Sequence, residues 1–410
     1  MDERRKESGF KDRTRVDDAR VALRERVTQV DRTETIPVAD ADARTLGEPV
    51  ASERNVPNYP KAAMDGFAVR AADTFGASDR SPELLRVNED GKEPMPGEAV
   101  RVHTGSALPD GTDAVVMIEH AERFGDELEV FDAVAEGENV APVGEDVREG
   151  QHLYDPGHRL RPSDLGLLRS VGIESVSVVD PPRVAVIPTG EELVGPGEEP
   201  EPGEVVDTNS LTVSRLVERW GGEATSHDVV TDDEAALRDA IEAACEKFDV
   251  VTTTGGSSVG ERDLVPEVVD DLGEVFVHGV ALKPGHPVAL GVVDETPVVM
   301  LPGYPVACIV NSMQFLRHAV KWTGGMPVDS PPTSPALLDR KIPSEPGVRT
   351  YARVRFESRD GQRTAVPVRT GGSGVLSSVA LADGWVEVRE GIEGVPEGDL
   401  VAVQHWEWSA

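Results

Sequence analysis

Residues 252–263 read TTTGGSSVGERD. Gly255 and Gly256 let a backbone turn sharply and approach a ligand with no Cβ in the way. The amides of Ser257, Ser258 and the residues after them, Gly260 included, can then point at an anion where the next helix begins, and the serine hydroxyls add donors. Asp263 follows that cradle. An acid beside a phosphate is repulsive unless a cation bridges the two, so the pattern calls for Mg²⁺ there. A plain glycine-rich turn with a solvated acid accounts for the same letters about as well, because glycine-rich loops are weak signals.

Other stretches carry comparable chemistry. PTGEEL places Thr189, Glu191 and Glu192 around a Thr-Gly turn; Glu192 reads as a second carboxylate beside the metal, or as an ordinary glutamate at a helix start. Asp232, in VVTDDE, joins them or simply caps a helix. Pro302 and Pro305 around GYP fix a rigid turn into a helix, which is shape more than chemistry. ALKPGHP offers Lys283 and His286. A lysine meets a phosphate as a point charge, and in a chain so poor in lysine that reading is favoured over a surface lysine. Earlier, AMDGFAVR holds Asp65 in an Asp-Gly pair that equally signals a hairpin turn, and RVHTGSAL holds Thr104 after a strand.

The elements that position these residues follow from periodicity. Residues 1–13 look disordered. Val16, Ala19, Leu23 and Val27 stripe an amphipathic helix. From about 50 to 145, short alternating runs broken by Gly, Pro and Asp predict a small β-rich unit. SDLGLLRSVGI returns to helix. Then RVAVIPT, DVVTTTGG, VFVHGVAL and PVVMLPG read as strands alternating with helices over 209–221, 231–248, 265–273 and 305–320, a mainly parallel α/β sheet. Thr231 and Glu234 read as a capping box. Ligands of such sheets sit at the carboxyl ends of the strands, where three of the marked loops fall. A Pro-rich joint leads to a final all-β stretch over about 331–410.

The chain has 410 residues and a formal net charge of −34. Such a surface repels nucleic acid and anionic lipid. The acids are spread along the chain and resemble the solvating surface of haloarchaeal proteins: habitat, not function. Any anionic substrate must then be held by local donors, cations or a metal against the mean field. No run of about eighteen apolar residues and no apolar leader predict a cytoplasmic protein with no membrane segment. Cys245 and Cys308 read as buried reduced thiols.

AMDGFAVR, HTGSALPDGTDAVVMIE, GEDVREG, VIPTGEEL, DTNSLTV, TTGGSSVGERD, LKPGHPVALG and LPGYPVACIVN occur in the order of one family. Over roughly residues 14–400 the chain resembles the MoeA family, molybdopterin molybdenumtransferases related to the C-terminal domain of gephyrin. The resemblance implies insertion of molybdenum from molybdate into adenylylated molybdopterin with release of AMP, Mg²⁺ as cofactor, and a homodimer. The active site would then lie between the α/β domain of one subunit and the insertion of the other. It implies an α/β multidomain fold: a split linker domain (14–50 and 145–180), a β-rich insertion (51–144), a parallel-sheet molybdopterin-binding domain (181–330) and a C-terminal β-barrel-like domain (331–410). Asp65, Thr104, Asp146, Glu192, Asp232, Asp263 and, in GGSGVLSSVALADGW, Ser373 fall on the family's functional positions. On this reading Asp65, Glu192, Asp232 and Asp263 are catalytic, and Asp263, Glu192 and Asp146 hold Mg²⁺. Substrate would be bound by Thr104, Thr189, Gly255, Gly256, Ser257, Ser258, Gly260, Lys283, Pro302, Pro305 and Ser373. Departures are that NVAPV before GED lacks the family's basic residues, that KPGKP reads KPGHP, and that GNP reads GYP. Two fewer positive charges near an oxyanion leave a tungstate-specific paralogue open. A non-catalytic molybdopterin scaffold is the runner-up, disfavoured by the retained carboxylates. A stand-alone molybdopterin adenylyltransferase, which could instead be a partner, would lack the insertion and the C-terminal domain.

Overall fold

The computed structural model describes residues 13–90, 94–256, 264–359, 361–368 and 373–408. It divides into two compact bodies: residues up to Glu34 together with those from Val179 onward, and Thr35–Val178. No helix among the described residues is long and apolar enough to cross a membrane.

The larger body begins with helix α1 (Val16–Arg24), whose Val16, Ala19 and Leu23 are fully buried among Phe315, Leu316 and Val320. Farther along, Val38, Ala41 and Leu46 pack with Leu168 and Val171 in the smaller body. The segment 14–50, read from sequence as one piece of a split domain, is thus divided between two cores, because its helix carries an apolar stripe that the helices of the larger body bury.

In the smaller body, strands β1 (Gly66–Val69), β2 (Glu83–Val87), β3 (Glu98–Val102), β4 (Ala114–Met117), β5 (Ala121–Phe124) and β6 (Glu127–Val130) form one sheet in the order β4-β1-β3-β2-β6-β5. Only β2–β3 is parallel. Its inward Phe67, Val69, Leu85, Val116 and Leu128 make the core. Helix α2 (Pro162–Ser170) belongs to a second cluster of the same body.

The larger body holds the α/β sheet: β7 (Arg183–Pro188), β8 (Glu223–Ser226), β9 (Val250–Thr254), β10 (Glu274–His278), β11 (Ala289–Val293) and β12 (Thr296–Leu301), in the order β8-β7-β9-β12-β11-β10. The first four are parallel and the last two antiparallel. The reversal is a two-residue hairpin in which Asp294 and Glu295 both take positive φ, the backbone of a tight turn matched to strand twist. Helices α3 (Asn209–Arg219), α4 (Glu234–Cys245), α5 (Leu264–Leu272), α6 (Pro305–Asn311) and α7 (Arg317–Thr323) cover the sheet. The strands are buried on both faces and read as continuous apolar runs for that reason. Helix α4 is capped by Asp233, whose carboxylate accepts from the Ala236 amide, and not by a Thr231–Glu234 box. The helix starts one turn later than the sequence pattern suggests, so the acid nearest the first free amides takes the role. Between α6 and α7, Ser312–Leu316 form a π turn with every residue buried.

Strands β13 (Thr333–Leu338), β14 (Arg349–Arg359), β15 (Gln362–Pro367), β16 (Gly384–Val388) and β17 (Leu400–Gln404) close into a five-stranded barrel, β14-β15-β13-β17-β16 and back to β14. On β14 the side chains alternate. Ala352 and Val354 fill the barrel, while Tyr351 packs outward with Trp385 and Trp406 into the core that α1, α6 and α7 share. That alternation sends Arg353 outward as well.

Candidate active site

The ends of β7, β9 and β12 meet closely in the larger body. Gly255 has φ +134°, and a Cβ there would lie 2.2 Å from the Thr189 carbonyl oxygen; on Gly256, φ +64°, it would lie 2.4 Å from Val265. Only glycine lets these two strand ends touch. The Gly255 amide donates to the Leu301 carbonyl at 3.0 Å. Asn209, at the head of α3, donates to the Gly303 carbonyl at 2.7 Å and so ties a fourth element to the cluster. Asp207 stands before it and accepts from the Asn209 and Ser210 amides at 3.1 and 3.2 Å and from the Ser210 hydroxyl. The hydroxyls of Thr189, Thr253 and Thr254 are buried and find no hydrogen-bond partner among the described residues. Buried hydroxyls are almost always paired, so three donors left over at neighbouring strand ends mark a place built to receive acceptors.

Of the expected site residues in this body, Thr189, Gly255 and Gly256 stand in this cluster, with Pro302 and Pro305 on the adjoining turn. Ser373 joins them: its carbonyl accepts from the Val306 amide at 3.0 Å. Glu192 is exposed and folds back over Gly190. Asp232 is exposed two residues past Val230, which pairs with Thr189 beside β7. Ser257, Ser258, Gly260 and Asp263 lie outside the described residues.

Beside this cluster opens a cavity of about 780 Å³ lined by Lys283, His286, Arg340, Lys341, Arg353 and Ser373, with Glu345 and Tyr351 on its wall. Lys283 pairs with Glu345 at 2.9 Å, but both are exposed and the pair contributes little. Arg340 donates to the Pro367 carbonyl. Arg353 differs. It is 4 % exposed, its Nε has no partner, and its one contact is a 3.5 Å bond to the Tyr351 carbonyl. Burial alone holds its guanidinium below the ordinary value. A buried cation without a carboxylate is costly, and in a chain of net charge −34 carboxylates are in ample supply. The arrangement makes sense when an anion enters. Sequence reading missed Arg353, because YARVRF reads simply as a strand.

In the smaller body, Asp65 accepts from the Thr104 amide at 2.7 Å and hydroxyl at 2.9 Å on one oxygen, with His103 Nδ1 3.9 Å from the other. The Thr104 amide, then its hydroxyl, hold the carboxyl below its usual range, so it is ionised at neutral pH. Asp65-Gly66 is not a hairpin turn. It opens β1, and a Cβ on Gly66 would fall 2.0 Å from the Val116 carbonyl, so glycine is needed for β1 to reach β4. Asp146 is exposed, its amide donating to Val56. Among the described residues no group of three or more Asp, Glu, His or Cys is gathered to hold a metal ion. Both cysteines are free. Burial pushes the Cys308 and Cys245 thiols up to about 12, which makes them inert.

Three family models match in succession: the MoeA N-terminal region (domains I and II) over residues 14–172, a molybdopterin-binding domain over 185–322, and the MoeA C-terminal region (domain IV) over 335–406. A Methanocaldococcus jannaschii protein named for molybdopterin biosynthesis is 36 % identical over 389 residues, 93 % of this chain and 94 % of that one. A molybdopterin molybdenumtransferase of Haemophilus influenzae is 31 % identical over 397 residues, 95 % of this chain and 98 % of its own. The crystal structure of a molybdopterin biosynthesis MoeA protein from Pyrococcus horikoshii OT3 superposes with a TM-score of 0.82 at 31 % identity, covering 96 % of this chain and 99 % of that one.

Proposed function

The chain belongs to the MoeA family, and from that premise we propose that it inserts molybdenum from molybdate into adenylylated molybdopterin, releasing AMP. It is a transferase of molybdenum cofactor biosynthesis. The observation that carries the finer reading is the cationic cavity around buried Arg353, set against the strand-end cluster. Adenylylated molybdopterin is a polyanion and molybdate an oxyanion, and the global field repels both. The unpaired hydroxyls of Thr189, Thr253 and Thr254 would donate to one; Arg353, Lys283 and Lys341 would hold the other. Neutralising both lets them approach, and fixing them side by side is the main contribution a protein makes to such a transfer. The dithiolene sulfurs belong to the substrate, so no reactive protein thiol is required. In the smaller body Asp65, ionised and oriented by Thr104, is the group suited to accept a hydrogen bond or proton.

Mg²⁺ enters the proposal through Asp263. The described carboxylates do not by themselves form its site: Glu192 is exposed over Gly190 and Asp146 lies on an exposed turn, so no step is derived through the metal. A homodimer, cytoplasmic location and delivery of substrate by a molybdopterin adenylyltransferase complete the proposal. The test is AMP release from adenylylated molybdopterin with Mg²⁺, with and without molybdate, for the wild type and Asp263→Asn. Molybdate-stimulated release that chelation and Asp263→Asn abolish supports it. Tight substrate binding with no stimulated release leaves a binding protein instead. Metal analysis after parallel reactions with molybdate and tungstate reads the preferred oxyanion.

A further inference from the structure

The cavity beside the strand ends holds one basic residue of a different kind. His286 is half-buried on its wall. The charged groups facing it come from every neighbouring element: Arg13 from the N-terminal segment, Lys283 from its own loop, and Arg340, Lys341, Glu345 and Arg353 from the barrel side, with the neutral phenol of Tyr351. Glu345 is taken up by Lys283 at 2.9 Å. The surroundings of the imidazole are therefore cationic, and of the residue types present only histidine titrates near neutrality. Burial first, then Arg13 and Lys283, hold its proton affinity below the ordinary value.

We propose that His286 takes up a proton as an oxyanion enters the cavity, so that anion binding and protonation at this residue are one coupled event. The reasoning is electrostatic. Before the anion arrives, imidazolium would add a charge to a cationic wall and be desolvated as well. A dianion at the centre of the wall reverses the sign of the local field and lowers the cost of the extra charge. By linkage the anion then binds more tightly as pH falls, with a slope of at most about one decade per pH unit for one proton. The cavity thus carries a charge that matches its contents, and holds a product of lower charge less firmly than the incoming dianion. The inference rests on the reading of this cavity as the oxyanion site, and specifies what regulates its occupancy.

The experiment is calorimetric titration with molybdate alone, and with sulfate alone, at pH 6.5, 7.5 and 8.5 and constant chloride, each in two buffers of different ionisation enthalpy. Wild type should take up a fraction of a proton approaching one per oxyanion at pH 7.5, and its affinity should fall roughly tenfold or more from pH 6.5 to 8.5. His286→Lys should bind with no uptake and a flat pH profile. His286→Gln should also lose the uptake, and bind at pH 6.5 no better than wild type does at pH 8.5. Uptake that survives in His286→Gln, or wild-type binding without uptake, overturns the proposal. Failure of either oxyanion to bind while molybdate-stimulated AMP release persists overturns it too and leaves the proposed reaction standing. Proton-coupled binding of sulfate and molybdate without stimulated AMP release supports it and removes the proposed reaction instead.

Discussion

Arg353→Met separates stability from function most cleanly. Arg353 is 4 % exposed, has no carboxylate partner, and leaves Nε without an acceptor. Methionine fills the space of the aliphatic stem and needs no acceptor. Replacing buried charge by a packed hydrophobe is commonly neutral or stabilising by about 1–4 kcal/mol. Here the Tyr351 carbonyl contact, long at 3.5 Å, is all that is lost in return, so a gain of about 1–2 kcal/mol is expected. For a body of this size that raises the thermal midpoint by about 2–8 °C. The same change removes a charge-assisted hydrogen bond to a bound oxyanion, about 1.5–3 kcal/mol, or roughly ten- to 150-fold in affinity. The assay pairs thermal unfolding at fixed salt with calorimetric titration of molybdate. A variant that melts lower than wild type yet binds molybdate equally well would refute the reasoning, because Arg353 would then be structural.

Gly255→Ala should cost about 2 kcal/mol or more in urea titrations, since it adds both a left-handed backbone at φ +134° and a 2.2 Å approach to Thr189; Gly197→Ala, φ +91° with nothing within 4 Å, should cost about 1 kcal/mol. Arg349 binds Asp17, Glu390 and Glu387 at once. Arg349→Met should destabilise by about 3–5 kcal/mol because Glu390 is left buried without its partner, whereas Asp17→Asn, at an exposed carboxylate, should cost under about 1 kcal/mol in the same denaturation assay. The imidazole of His318 is held well below its ordinary value by burial and then by Arg20, Arg317 and Lys321. The unfolded chain therefore binds the proton first, and stability is full above about pH 6.5 and falls by up to about 1.4 kcal/mol per pH unit below it. His318→Gln should flatten that acid limb in pH-dependent melting, while an unchanged limb would assign it to other groups.

Much of the architecture was legible because its signals are local. The continuous apolar runs of β7, β9 and β12 and the three- and four-residue stripes of α1, α3 and α4 each report a buried surface within one segment. The hairpin at Asp294–Glu295 was not legible, since no Asn-Gly or Asp-Gly pair announces it. The Thr231–Glu234 box had the right letters in the wrong turn. At the site, glycines forced by close approach stood out, as at Gly255 and Gly256. Arg353 did not, because whether a strand arginine meets solvent or a closed cavity is decided by barrel closure and docking, two events remote in sequence. Asp207 and Asn209 were visible as letters in DTNS, but their use depends on the distant Gly303 carbonyl. Lys283 was singled out for scarcity, and it lines the cavity.

The π turn at Ser312–Leu316 has a consequence for how this sequence can change. It holds one residue more than an α-helix of the same rise needs. A deletion of any single residue there would let an ordinary helix form across the gap, yet would swing everything after it by about 100°. Arg317, which donates to the Asp329 carbonyl, and the buried Lys321 would both be turned off their seats. This helix therefore tolerates exchange of letters far better than a change in their number, and length variation among sequences of this kind should avoid that stretch.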